Sequence, residues 1–259
     1  MTEYWIVRYA LFDMLRPKRL LGALVLVLVP VLLALFWRFV PPPAEYHGVQ
    51  AYSVISPLVV FGFVLVIGAV LFGTGVLSAE MEQKTIVYLL TRPVVRWRLL
   101  MCKALAAFVA VAVVAEVAAI VTAFISMGTS ALHSHELLRD LAIMPVGAAA
   151  YTSLFVLMAT VLDRPLIYGL FFGFGWETLA PELLGAYKKL TIMGYIRVLA
   201  PHPNVPAGFT DQAAVSIFVA QGVSMHAAWL TLGGICCVCL LLACTVFSKR
   251  EYSPRDDLV

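Results

Sequence analysis

Six long apolar runs along 259 residues decide what this chain can fold into. They cover residues 20–40, 53–77, 104–127, 141–162, 166 to about 185, and 227–247. A hydrocarbon slab about 30 Å thick is crossed by roughly 20 residues of α-helix rising about 1.5 Å each. Each run therefore reads as one crossing, and the expected fold is an all-α membrane protein with six transmembrane helices in a single domain, 1–259. Glu177, Pro181 and Glu182 interrupt the distal end of the fifth run. A soluble core could not absorb the composition, 62% hydrophobic and 13% charged with a mean hydropathy of +0.95. No small-residue cleavage site follows the first run at Arg38-Phe39-Val40-Pro41, so it reads as a span and not as a signal peptide.

Orientation follows from Lys and Arg, which favour the cytoplasmic side of short loops. With six spans and the N-terminus inside, only Arg38, Arg139, Lys188, Lys189 and Arg197 fall outside, and both termini are cytoplasmic. The net charge of +3 then reflects topology and not nucleic-acid binding, which needs a concentrated basic face. Residues 1–19 interleave Trp5, Ile6, Tyr9 and Phe12 with Arg8, Arg16, Lys18 and Arg19, the pattern of a helix lying in the inner membrane interface. Pro17 breaks or bends it before the first span. Outside, Pro41-Pro42-Pro43 ends the first span, and 186–226 forms the largest outer segment, with short helices but too few residues for a folded domain.

The most charged stretch is 78–103, SAEMEQKTIVYLLTRPVVRWRLLMCK, which this orientation makes a cytoplasmic loop. It combines Glu80, Thr85, the pair Leu89-Leu90, Arg92-Pro93-Val94, and Arg96. This pattern resembles the first cytoplasmic loop of type-2 ATP-binding-cassette (ABC) exporter permeases, with Lys84 where that family has a glycine. The interfacial N-terminal helix resembles the same family. So does the Trp176-Glu177 pair followed by the apolar stretch around Tyr195 to Leu199, which in the family is a short helix dipping back into the outer leaflet.

The resemblance implies a permease of the bacterial cytoplasmic membrane, exporting an unnamed substrate. Its loop helix, with Glu80, Thr85, Leu89, Leu90, Arg92, Pro93 and Arg96, would dock on a separate ATPase. ATP and Mg would be bound by that ATPase, present in two copies beside a second copy of this permease, with lipid around the assembly. A variant of the same expectation is a permease serving maturation of an outer metalloenzyme, as in nitrous-oxide-reductase maturation. A secondary transporter or an intramembrane enzyme is the alternative from another class.

No Gly-x-x-x-x-Gly-Lys-Ser/Thr phosphate loop, no His-Glu-x-x-His and no Gly-x-Ser-x-Gly occur, so nothing here points to catalysis by this chain. Glu116 is placed near the bilayer centre, where a charge costs about 2.5 kcal/mol or more; with Glu177 it is a candidate for the translocation path or for a structural hydrogen bond. The five cysteines, Cys102 at the loop and Cys236, Cys237, Cys239 and Cys244 in the last span, read as packing. All five histidines, His47, His133, His135, His202 and His226, fall on or near the outer face, where metal binding is a minor alternative to a plain polar surface. Small residues at Gly169 and Gly173, at Ala106 and Ala110, and at Gly62, Gly68, Gly73 and Gly75 mark close helix packing.

Overall fold

The computed structural model describes residues 8–12, 16–39, 48–82, 96–177, 191–202 and 223–250. Every regular element among them is helical. Pro17, which fits the first helical turn because its missing N–H would be unpaired there anyway, opens α1 (Pro17–Phe39). The second span is one continuous rod of α2 (Gly48–Ile55), a π-helical stretch (Ser56–Leu65) and α3 (Val66–Glu82). Then come α4 (Arg96–Met127), a 3-10 turn (Gly128–His133), and α5 (His135–Val161). A short helix α6 (Pro165–Phe171) runs into a π-helical turn (Phe172–Trp176), and α7 (Ile192–Leu199) and α8 (Met225–Lys249) complete the order.

Five of these are long and apolar enough to cross a membrane: Arg19–Phe39, Gly48–Leu77, Arg96–His133, His135–Val161 and Met225–Lys249. Residues 8–12 are helical, while 1–7 and 13–15 of the expected interfacial segment lie outside the described residues. Local chemistry sets the helix limits. Gly128, at φ +64°, ends α4 in the left-handed region that a residue with a Cβ rarely adopts. The hydroxyls of Ser134 and Ser224 accept from the amides of Leu137 and Ala227, capping α5 and α8.

Arginines fix which ends lie together. The Arg19 guanidinium donates to the Gly75 carbonyl at 3.2 Å, and Arg250 donates to the carbonyls of Thr160 and Val161 at 2.9 and 2.7 Å. At the opposite end Arg38 donates to the Ile125 carbonyl at 3.2 Å, and Gly48 abuts the Ser126 carbonyl so closely that no Cβ would fit. The five long helices therefore alternate in direction. The start of α1 and the ends of α3, α5 and α8 share one end, here called the near end.

This alternation leaves one crossing to account for, because α5 finishes at the near end and α8 starts at the far end. The crossing is split. From the near end α6 climbs along the second span, with Gly169 against Val70 and Gly173 against Val66, and Trp176 reaches mid-depth. From there α7 continues to the far end: Met193 meets Gly62, Ile196 meets Gly147, and His202 meets Asp140. The sequence expects one span over 166 to about 185; helix is described only to Glu177, residues 178–190 lie outside the description, and the second half is supplied by α7. So α7, assigned from sequence to the outer segment, is packed inside the bundle, with Ile192, Met193, Ile196 and Leu199 buried. A Glu-Thr-Leu-Ala-Pro-Glu stretch interrupts the apolar pattern at this point, as a break requires.

The second span is the centre of the molecule. Of its most apolar window 67% is buried, against 22% for the first and last spans, which form the periphery. Phe61, Leu65, Val70, Tyr151 and Phe155 are at most 1% exposed and form the middle of the core. Gly73 admits the Phe155 side chain, and Gly169 and Gly173 admit Val70 and Val66, so these small residues serve packing within the chain.

Candidate functional site

Two regions combine polar chemistry with unusual placement, one at each end. At the near end the segment 78–103 joins α3 to α4. Glu80 lies in the last turn of α3, and Arg96 is the first residue of α4. Thr85, Leu89, Leu90, Arg92 and Pro93 lie outside the described residues. With 32 residues α4 is about 48 Å long, well beyond a hydrocarbon layer of about 30 Å, and its basic residues Arg96, Arg98 and Lys103 gather at its start. Beside it Arg250 caps the last carbonyls of α5 and pairs with Asp163 at 3.3 Å. This is favourable at a helix C-terminus, where the macrodipole is negative.

The far end holds a buried polar cluster. One oxygen of Asp140, Oδ2, accepts from the Tyr52 hydroxyl at 2.9 Å and the Ser56 hydroxyl at 2.6 Å, and lies 3.0 Å from His202 Nε2. These four residues are all fully buried. One turn earlier on α5, Glu136 Oε2 accepts from Ser53 at 2.7 Å, and the Ser53 hydroxyl oxygen lies 3.0 Å from the Val49 carbonyl. The spacing explains the pairing: Glu136 and Asp140 are four apart on α5, and Ser53 and Ser56 three apart on the second span, so each set shares a helix face. The His202 ring stands edge-on to Phe61, with centroids 6.5 Å apart. Asp140 Oδ1 and His202 Nδ1 find no hydrogen-bond partner among the described residues.

The other two carboxylates singled out from sequence differ sharply. Glu177 is 5% exposed, and its two oxygens accept from the amides of Ile192 and Met193 at 3.1 and 3.2 Å. It thus caps α7 from the end of the π-helical turn that follows α6 and holds the broken crossing together, assisted by the Thr191 hydroxyl on the Gly194 amide. Glu116 lies midway along the apolar part of α4, half-buried, beside the exposed Val113 and Val117. It makes no hydrogen bond or ion pair with a described residue.

Of the histidines, His202 is locked into the Asp140 cluster, His133, His135 and His226 are exposed, and His47 lies outside the described residues. Among the described residues no group of three or more His, Cys, Asp and Glu is placed to hold a metal ion.

A family model described as ABC-2 family transporter protein matches residues 4–252 of the chain. The chain belongs to that family. This makes it the membrane permease of a type-2 ABC transporter, in a family whose permeases associate with an ATPase subunit. No curated protein matches the chain.

Sequence reasoning did not find the Asp140 cluster. The apolar run beginning at Leu141 leaves Glu136 and Asp140 in a loop, whereas the Ser134 cap starts the helix at His135 and carries both into the bundle. A signal was present in Ser134-x-Glu136 ahead of the run, with Asp140 one turn on. The contact with His202, 62 residues away, has no counterpart in local periodicity.

Proposed function

We propose that this permease couples ATP hydrolysis by a separate ATPase to export across the bacterial cytoplasmic membrane, with its near end and both termini in the cytoplasm. The observation that carries this reading is the near end itself. There α4 gathers its basic residues, Arg250 ties α8 to α5, and Arg19 ties α1 to α3, so a push on the 78–103 segment meets helices that are already joined. Glu80, Thr85, Leu89, Leu90, Arg92, Pro93 and Arg96 form the docking element on this reading. A rigid helix gripped there transmits the closure of the ATPase to the bundle as a rigid-body motion.

Two ATPase copies, holding ATP and Mg, would serve two copies of this single-domain chain, since six crossings are half the usual transporter complement. Glu116 then has a role. An ionisable group on the exposed face of a spanning helix is costly against lipid and suits a path lined jointly with the second copy. Glu177 contributes to that path by holding α7.

The test is purification of the full chain from its membrane. An ATPase subunit should copurify, and ATP hydrolysis coupled to transport should require both chains. Transport by the permease alone, or no associated ATPase, would overturn the reading.

A further inference from the structure

We propose that Asp140 and His202 are the fastening that keeps α7 docked in the bundle, and that the far end of the permease opens when this fastening lets go. The inference deepens the transport reading and rests on it for the meaning of the opening, but the fastening can be tested separately.

Helix α7 has only eight residues, a length that does not hold as a helix in isolation. Burial of its apolar side chains and contacts at its two ends therefore hold it. At its start the Glu177 carboxylate takes the Ile192 and Met193 amides. Beyond its end comes Ala200-Pro201-His202, and His202 Nε2 reaches Asp140. Asp140 Oδ2 gathers donors from two further places, Tyr52 in α2 and Ser56 at the start of the π-helical stretch. One oxygen atom thus binds α7 to α5 and to the second span. Between these ends α7 lies on two narrow seats, Met193 beside Gly62 and Ile196 beside Gly147.

Of the three surfaces that α7 packs on, α8, α5 and the second span, the last two are irregular. The second span is π-helical over Ser56–Leu65, with Pro57 in its first turn, and α5 contains Pro145 between Asp140 and Gly147. Stretches of this kind recur at functional sites and are where helices bend. The network is also unevenly used: Oδ2 is loaded with three partners, while Oδ1 and His202 Nδ1 have none among the described residues. Asp140 is a positioning residue, acting through α7.

The experiment uses the full chain in membranes, with its five cysteines replaced by alanine. Ile196→Cys reports on α7 at a site 1% exposed, and Ala119→Cys reports on the core of α4, fully buried. The readout is the rate of reaction with a membrane-impermeant maleimide added from the far side, without nucleotide. His202→Ala and Asp140→Ala should each raise the rate at Ile196→Cys about tenfold, a shift of about 1.4 kcal/mol in the opening equilibrium. Together they should do no more than either alone, because they release the same contact. Tyr52→Phe, which removes a donor but leaves the tie to α7, should stay near the parent rate, and Ala119→Cys should stay unreactive throughout.

An unchanged rate at Ile196→Cys in His202→Ala overturns the proposal even if Asp140→Ala fails to accumulate. So does a rise at both reporters together, which means general loosening. Because no ATPase enters the measurement, its outcome is independent of whether one copurifies.

Discussion

Asp140 shows how much can rest on one buried atom. A neutral hydrogen bond is worth about 1 kcal/mol net, but removing a shared buried acceptor strands every donor that pointed at it, at about 1–3 kcal/mol each. Ser56→Ala should therefore cost about 1 kcal/mol and Asp140→Ala at least about 3 kcal/mol, read as loss of thermal stability of the purified permease. Similar costs for the two would mean that Asp140 is not the shared acceptor. Glu177 follows a different rule, that of a helix cap, so Glu177→Ala should cost about 1–2 kcal/mol and Glu177→Gln, which still accepts, less. At this scale the sequence was least legible. Glu116 and Glu177 stand out because a carboxylate in an apolar run is conspicuous, whereas Asp140 sits at the edge of a run and looks like loop. Whether a carboxylate is capped, shared or left facing outward depends on residues distant in the chain.

Among elements, the legible ones are those whose length alone specifies them. The five long spans agree with the runs at 20–40, 53–77, 104–127, 141–162 and 227–247, with helix starting some five residues early at Gly48 and His135. The fifth run misleads because it is half of a crossing: α6 is apolar enough to look like the start of a span, and its continuation, α7, follows an interval of polar and proline residues. Close packing holds α7 against α5. A Cβ on Gly147 would come within 2.9 Å of both Ile196 Cδ1 and Leu65 Cδ2. Gly147→Leu should thus destabilise the permease by about 1–3 kcal/mol through overpacking, measured by thermal unfolding in detergent. Wild-type stability would show that α7 has room to yield.

For the molecule as a whole, the decisive features are the alternation of the spans and the gathering of charge at one end. Lys and Arg bias supports the proposed orientation, and the broken crossing keeps the number of passages even. Single cysteines at Pro42, Ser134 and Asn204 in a cysteine-free background should react from outside intact cells, and those at Gln83 and Ser253 only after permeabilisation. Reaction of Ser253→Cys from outside would remove the crossing built from α6 and α7. The central claim is that the near end receives work from an ATPase through the 78–103 segment. Exposed ion pairs are individually weak, so the direct measurement reverses three charges at once, Glu80→Lys with Arg92→Glu and Arg96→Glu, and follows ATP hydrolysis coupled to transport in the reconstituted complex. The account predicts that coupled hydrolysis is lost while the permease still inserts and folds in the membrane; wild-type coupled hydrolysis by the triple variant would contradict it.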